Sequence, residues 1–154
     1  MTILETQEHS WRFPLLGLDI SATRIGLAIA DNSLSPPRPL FTYLRITRAQ
    51  DLARIVAWVE RYQIGAVVMG LPVNMDGTPG ERARWMGRLA RELRQCMDIP
   101  IHLQDERLST VEAEELLHAR GLSHNQVSEE VDAVAAALIL ERFLREQHHG
   151  NIDS

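Results

Sequence analysis

The hydrophobic period of the chain changes near residue 47, and this change constrains the fold more than any other feature. Before it, three apolar segments follow one another with short loops between them, at 13–20, 24–30 and 40–46. Segments so close in sequence typically pair as an antiparallel meander. After it, helical periodicity alternates with short apolar runs, which is typical of strands that pair in parallel through helical crossovers.

The second half supplies the remaining elements of the predicted fold. Helices are predicted at 50–62, 81–97, 109–121 and 131–144, and strands at 66–71 and 100–103. The resulting order is β-β-β-α-β-α-β-α-α. It predicts an α/β fold with a five-stranded mixed sheet, in which a three-strand antiparallel meander joins two parallel strands and helices cover both faces. We expect Ser109 to cap the third helix, in a capping box with Glu112.

The length favours a single domain over residues 1–154. We expect its core at about 13–145, with tails at 1–12 and 146–154, and we expect the second tail to be frayed. No apolar run approaches the roughly 18 residues of a membrane span. The N-terminus does not resemble a signal peptide, and Cys96 is the one cysteine, which we expect to be buried. These features predict a cytoplasmic protein.

The basic residues exclude several kinds of chemistry. All sixteen are arginine, so Schiff-base catalysis on a lysine and a P-loop lysine are both excluded. The net charge of −5 argues against a generally basic surface. A nucleic-acid ligand would therefore need a local arginine patch, because phosphate contacts supply most of the affinity in such complexes.

Acidic residues stand at three places where an α/β sheet carries its sites. Asp19 interrupts the first apolar strand, Asp105 and Glu106 follow the last strand, and Asp132 begins the predicted final helix. The alternatives are structural: Asp19 as a turn cap, Asp105 or Glu106 as a cap or a partner of Arg107, and Asp132 as an acid favoured by the helix dipole. Because Asp105 and Glu106 would point to opposite sides of a strand, we expect only one of them to face a site.

Taken together, the acids predict a metal site. A carboxylate inside an apolar strand is costly unless it is paired or binds a metal. Carboxylates that converge at the carboxyl ends of strands repel one another unless a cation neutralises them. Oxygen ligands select Mg²⁺ or Mn²⁺, and cations held in this way support phosphodiester hydrolysis.

Four segments of the chain together resemble the YqgF family, also called RuvX. They are LGLDISATRIG at 16–26, VMGLPVNMDGT at 68–78, DERLST at 105–110 and VDAVAA at 131–136, and they occur in the family's order and spacing. The resemblance implies a ribonuclease H-like fold with catalytic acids at Asp19, Glu106 and Asp132. It also implies trimming of the 5′ end of precursor 16S ribosomal RNA, or, in an older proposal, resolution of Holliday junctions.

The chain departs from the family pattern at two places. The family usually has Gly-Thr-Lys after the first aspartate, where this chain has Ser21-Ala22-Thr23. The family often carries a basic run before the final Val-Asp, where this chain has Glu129-Glu130. Both departures bear on the affinity for a phosphate ligand and leave the acids themselves intact.

Several side chains are candidates for binding substrate. Arg24 and Arg107 lie next to the acids in sequence and could contact phosphate, or could instead pair with those acids. Asn74 and Thr110 could hydrogen-bond substrate, or serve ordinary turn and cap roles. Arg84, Arg88 and Arg91 share one helix face, for which a solvated surface is the favoured interpretation.

We therefore predict a divalent-metal-dependent nuclease that acts on structured RNA, or on branched DNA, as a monomer or weak homodimer. One alternative is a weakly catalytic or non-catalytic nucleic-acid-binding or ribosome-assembly factor with the same fold. Another is a phosphotransferase of the actin-like ATPase superfamily. Such enzymes close two domains over ATP, and this chain has room for one.

Overall fold

The computed structural model describes residues 11–72, 78, 80–107 and 109–153, with side chains as far as Gln147. Within these ranges the chain forms five strands and four helices in the predicted order. The strands are β1 (Leu15–Ile20), β2 (Arg24–Ala30), β3 (Arg38–Leu44), β4 (Ala66–Leu71) and β5 (Ile101–Asp105). The helices are α1 (Arg48–Arg61), α2 (Glu81–Cys96), α3 (Ser109–Ala119) and α4 (His124–Asp153).

The strands form one mixed sheet in the order β3-β2-β1-β4-β5. The pairs β3–β2 and β2–β1 are antiparallel, whereas β1–β4 and β4–β5 are parallel. The predicted sheet is confirmed. Its physical basis is the short loops of the first half, which allow hairpin-like pairing, and the helical crossovers of the second, which impose parallel pairing.

One face of the sheet packs against α1 and α2. Alternation along β1 sends Leu16, Leu18 and Ile20 to this face, where they meet Ile55 of α1 and Met86 of α2. The spacing of apolar residues in α2, which buries Met86, Leu89, Ala90 and Leu93, follows the helical period and explains why this helix lies flat on the sheet.

The opposite face packs against α4 at close range. Leu15, Ala28 and Ala30 of the sheet meet Ala136 and Leu140 of α4. Gly17 faces the same helix, and a Cβ there would lie 2.6 Å from Cγ of Leu140. Small residues on both surfaces therefore bring the α4 backbone close to the centre of the sheet. The helix α3 packs outside α4, through a small cluster that includes Leu117 and Val131.

The last helix differs from its prediction at both ends. It begins at His124 rather than at residue 131, and it continues to Asp153, so the expectation of a frayed tail from residue 146 is wrong. Glu146 accepts a hydrogen bond from the buried Gln104 amide at 3.0 Å. This polar contact extends the docking of α4 beyond its apolar stretch, which explains why apolar periodicity alone placed its end too early.

Two further expectations are wrong in local detail. Ser109 is the first residue of α3, and its buried hydroxyl has no hydrogen-bond partner among the described residues, while Glu112 pairs with Arg142 at 2.9 Å. The predicted capping box is therefore absent. Cys96, at the end of α2, is exposed rather than buried. In the part of the chain that the structure describes, no helix has the length and apolar character to cross a membrane.

Candidate active site

Asp19 is a buried acid on the α4 side of the sheet. It shares the face of Leu15 and Gly17, because side chains alternate along β1, and only 7% of its surface is exposed. Its antiparallel partner in β2 is Gly26. A Cβ at Gly26 would overlap with the backbone of Asp132 in α4. The missing side chain at position 26 therefore brings α4 against the sheet beside Asp19.

Glu106 reaches Asp19 from the strand on the other side of β4. It follows β5 directly, and its backbone N–H donates to the carbonyl of Leu71 at 3.2 Å. The Glu106 carboxyl lies within hydrogen-bonding reach of the Asp19 carboxyl. Gly70 of β4 lies beneath this pair, and a Cβ there would stand 2.8 Å from Cδ of Glu106. The two acids therefore meet across a strand that carries no side chain at that point.

Asp105 points away from this pair. Its carboxylate forms an ion pair with Arg107 at 2.8 Å and also accepts the Arg107 backbone N–H at 2.9 Å. Burial acts to raise the pKa of Asp105, but the hydrogen bonds and charge of Arg107 outweigh it and hold the pKa below its usual value. Of the two neighbouring acids, Glu106 is thus the one that lies against Asp19.

Asp132 completes the cluster from α4. It stands eight residues after His124, so the helix dipole that favours acids in a first turn does not act on it. Its Oδ2 lies 3.7 Å from Nη1 of Arg24, an ion contact too long for a hydrogen bond. Among the described residues this buried oxygen has no hydrogen-bond partner. A buried carboxylate oxygen left in this state is available to a ligand.

Burial shifts the pKa of all three acids upward, and repulsion from a neighbouring acid adds to the shift for Asp19 and Glu106. Burial is the largest cause for Asp19, whose pKa is raised to about 6, with the charge of Asp132 acting in the same direction. Burial and then the charge of Asp19 raise the pKa of Glu106 to about 9. Burial raises the pKa of Asp132, and Arg24 partly offsets the effect. Of the two neighbouring carboxyls, Glu106 is therefore the one whose pKa favours the protonated form near neutral pH.

The donor set suits a hard divalent cation, although no ready-made cage exists. Among the described residues, no three acidic, histidine or cysteine side chains stand close enough together to enclose an ion. The raised pKa values of Asp19 and Glu106 and the unpartnered oxygen of Asp132 are nevertheless the signs of acids without their counter-charge. A cation bound here would have carboxylate oxygens as its ligands, as Mg²⁺ and Mn²⁺ prefer.

Arg82 is a neighbour of the acids that the sequence patterns did not single out. Its Nη2 donates to the carbonyl of Ile20 at 2.9 Å, directly after Asp19 in the chain. Its charge lowers the pKa of both Asp19 and Glu106. The one signal in the sequence is its place in the first turn of α2, immediately after the loop that follows β4.

The predicted substrate residues fall into different environments. Arg24 lies beside Asp132 with 43% of its side chain exposed, and Arg107 is held by Asp105. Thr110 is exposed in the first turn of α3. Asn74 lies outside the described residues. The acidic Glu129-Glu130 lies toward β3, where it lines a cavity of about 290 Å³ with residues such as Phe41 and Thr42.

Comparison with known proteins identifies the family. The sequence model of the family described as "RuvX: Holliday junction resolvase" matches residues 14–146. A protein of Anaeromyxobacter sp. (strain Fw109-5), named provisionally as a pre-16S rRNA nuclease, is 46% identical over 133 residues, which cover 86% of this chain and 97% of the relative. A protein of the same name from Thermoanaerobacter pseudethanolicus is 37% identical, covering 86% and 96% of the two chains.

Solved structures extend the likeness to the fold. Thermus thermophilus RuvC in complex with a Holliday junction substrate superposes with a TM-score of 0.58 at 19% identity, covering 88% of this chain and 96% of that one. Fowlpox virus resolvase, in complex with Holliday junction DNA, gives a TM-score of 0.52 at 9% identity, covering 87% and 98%. At identities this low, the superpositions show a shared fold and nothing more, and this fold is ribonuclease H-like. The family model that matches residues 14–146, together with the relative at 46% identity over 86% of the chain, establishes that this chain belongs to the RuvX family.

Proposed function

We propose that this protein is a divalent-metal-dependent nuclease that hydrolyses phosphodiester bonds in precursor 16S ribosomal RNA. The observation that carries the proposal is the approach of Glu106 to the buried Asp19 across Gly70, beside the unpartnered oxygen of Asp132. Buried acids arranged in this way are unfavourable in a protein whose only need is stability. They are what a site for a cation and a phosphate requires.

Asp19, Glu106 and Asp132 would hold the cation, Mg²⁺ or Mn²⁺, through their carboxylate oxygens. When bound, such a cation supplies Lewis-acid stabilisation of the charge that develops on the phosphate. The protein's own contributions are three. Glu106 releases its carboxyl proton when the acids become ligands, Arg82 supplies fixed positive charge beside them, and Arg24 places a partly exposed guanidinium beside Asp132.

The choice of substrate rests on the relatives. The curated relatives are named for precursor 16S ribosomal RNA, and they match over almost their whole length at up to 46% identity. The family description favours a four-way DNA junction as the second candidate substrate. We propose the RNA activity first, because the likeness to junction resolvases at 9–19% identity concerns the fold alone. Arg107, Asn74 and Thr110 remain predicted substrate contacts, and the cytoplasmic location remains a prediction.

The test is single-turnover cleavage of a precursor 16S RNA fragment and of a four-way DNA junction, each with Mg²⁺, with Mn²⁺ and with a chelator. The matched pair of variants is Asp19→Asn and Asp31→Asn. Asp31 pairs with Arg38 on the surface, with 45% of its side chain exposed, so its loss should change neither fold nor activity.

We expect metal-dependent RNA cleavage that disappears in Asp19→Asn and persists in Asp31→Asn. Cleavage of the junction but not of the RNA would show that the protein acts as a junction resolvase on DNA. Cleavage that survives the chelator or the Asp19→Asn change would overturn the metal mechanism. Binding of either nucleic acid without cleavage under all conditions would favour the assembly-factor alternative.

A further inference from the structure

A cleft of about 630 Å³ opens beside the acids and is lined mainly by arginine. We call it the arginine cleft, and define it by four arginines around one indole: Arg45, Arg82, Arg84, Arg88 and Trp85. Ala22 lines it as well, and this residue belongs to the turn between β1 and β2. The cleft therefore opens at the same edge of the sheet at which β1 delivers Asp19.

Trp85 organises the guanidinium groups in this region. The guanidinium carbons of Arg45, Arg48 and Arg82 lie 4.9, 5.4 and 5.7 Å from the centre of the indole ring. Distances of this size allow attraction between each cation and the aromatic ring. The indole thus holds three like charges in one place. Because guanidinium groups already surround the ring, we infer that its role is to position arginines rather than to stack on a base.

The cleft carries more positive charge than its ion pairs neutralise. Arg45 is paired with the buried Asp51 at 2.9 Å, and Arg48 with Glu92 at 2.8 Å. Arg84 and Arg88 are exposed, and the part of the chain that the structure describes offers neither of them an ion pair. Of the residues that the structure describes, Glu81 is the one acid that lines the cleft. In a protein with a net charge of −5, this concentration of arginine marks a site for an anion.

Arg82 links the cleft to the acids. It lines the cleft, and its Nη2 also contacts the carbonyl of Ile20, the residue after Asp19. Arg84 and Arg88 are one helical turn apart, at the i and i+4 spacing that makes side chains neighbours, and both line the cleft together with Arg82. An anion with several charges in a row could therefore start at the acids and continue past Arg82 to Arg84 and Arg88.

We propose that the arginine cleft binds consecutive backbone phosphates of the nucleic-acid strand whose scissile bond lies at Asp19, Glu106 and Asp132. Arg84 and Arg88 are the phosphate ligands, and Arg82 is the positioning residue between them and the acids. Guanidinium groups bind phosphate through paired N–H donors, and phosphates act without regard to base sequence. The inference rests on the proposed nuclease function, and it adds the path of the substrate.

Binding and cleavage are measured separately, so that the two proposals can fail separately. Fluorescence anisotropy of a labelled single-stranded RNA, with chelator present, reports affinity and its salt dependence in the full-length protein. Single-turnover cleavage with Mn²⁺ reports activity. The test variant is the double change Arg84→Ala with Arg88→Ala. The control is Arg61→Ala with Arg120→Ala, which removes the same charge from two exposed arginines that do not line the cleft.

We expect the cleft variant to bind RNA about tenfold more weakly or worse, and the control to stay within about twofold of the wild type. The slope of log K against log salt should fall by about 1.4 in the cleft variant, roughly 0.7 for each lost phosphate contact with a single strand. Both variants should keep the melting temperature of the wild type, because all four side chains are exposed. Anisotropy of a labelled four-way DNA junction, measured in parallel, shows whether the same cleft binds RNA or DNA more tightly.

Two outcomes of the comparison between the variants would overturn the cleft proposal while leaving the nuclease function intact. One is wild-type affinity and salt slope in the cleft variant. The other is an equal loss in the control variant, which would make the effect one of total charge. Competition by ATP, with RNA bound elsewhere, would make the cleft a nucleotide site and would also overturn it. Failure of the wild type to cleave any substrate, with RNA binding and its cleft dependence intact, would overturn the nuclease function instead.

Discussion

The side chain of Glu106 occupies the space that a side chain on Gly70 would need. A Cβ built on Gly70 would stand 2.8 Å from Cδ of Glu106 and 2.7 Å from Cδ1 of Ile139, closer than such atoms approach in folded proteins. The carboxylate reaches Asp19 across β4 only because position 70 has no side chain. Gly26 plays the corresponding part for Asp132, whose backbone fills the space that a side chain at position 26 would need. The acid cluster thus depends on two glycines as directly as on the acids.

We predict that Gly70→Ala lowers the rate of cleavage by at least tenfold, because Glu106 must move away from Asp19. Displacement of one catalytic group by about 1 Å commonly has a larger effect than this. The control is Gly87→Ala in α2, where a Cβ would meet nothing within 4 Å. This change should leave activity unchanged and raise the free energy of unfolding by up to about 1 kcal/mol. Full activity in Gly70→Ala would contradict the arrangement of the site.

Two buried aspartates should respond in opposite ways to replacement by asparagine. Asp19→Asn removes a buried charge and its repulsion from Asp132 while keeping the shape, so the metal-free protein should be as stable as the wild type or slightly more stable. Asp51→Asn breaks a buried ion pair with Arg45 and should cost about 3 kcal/mol. Chemical denaturation of the metal-free proteins measures both. A strongly destabilised Asp19→Asn would mean that this carboxylate is a structural ion-pair partner.

The stability of the metal-free protein should fall as the pH rises. The pKa of Glu106 is raised from 4.5 to about 9 in the folded state, so the folded protein binds this proton more tightly than the unfolded chain does. The stabilisation is fully present below about pH 4.5 and is lost as the pH approaches 9. The pKa of Asp19 is shifted in the same direction and adds to the effect.

The measurement is the midpoint of urea unfolding against pH for the wild type and Glu106→Gln. The difference between the two curves isolates Glu106 from other groups, such as His102, whose pKa burial lowers. Mg²⁺ should raise the urea midpoint of the wild type more at pH 8 than at pH 6, because at pH 8 fewer of the acids carry a proton that the cation must displace. Parallel curves for the two proteins would show that Glu106 does not titrate in this environment.

The contact between Gln104 and Glu146 should contribute to stability at the far end of the sheet. Gln104 is 5% exposed, and its amide donates to Glu146 at 3.0 Å. Glu146→Ala leaves this buried donor without its partner and should cost about 1–3 kcal/mol. Glu141→Ala is the control on the same helix, since it removes only the exposed pair with Arg145 and should cost less than about 0.5 kcal/mol. Equal effects on thermal unfolding would show that water replaces Glu146 without cost.

The sequence alone predicts the order of the strands and helices and identifies Asp19 as an unusual acid. Short loops between the first three strands and helical crossovers between the others determine the sheet, because each kind of connection permits one kind of pairing. Asp19 is recognisable because a carboxylate within an apolar strand requires a reason beyond stability. The four family motifs placed Glu106 and Asp132 with it, by likeness rather than by any rule of periodicity.

The tertiary structure decided which neighbours act together. The alternation of side chains between the two faces applies only within a strand. It therefore does not predict that Asp105 pairs with Arg107 while Glu106, just after the strand, lies against Asp19. Helical periodicity placed Arg84 and Arg88 on an outer face, but only the packing of α2 against the turn after β1 shows that they line a cleft with Arg45 and Arg82. Local patterns record which side of an element a residue occupies. Which distant residues share that side depends on how close the elements approach, and here glycines at 26 and 70 set that distance.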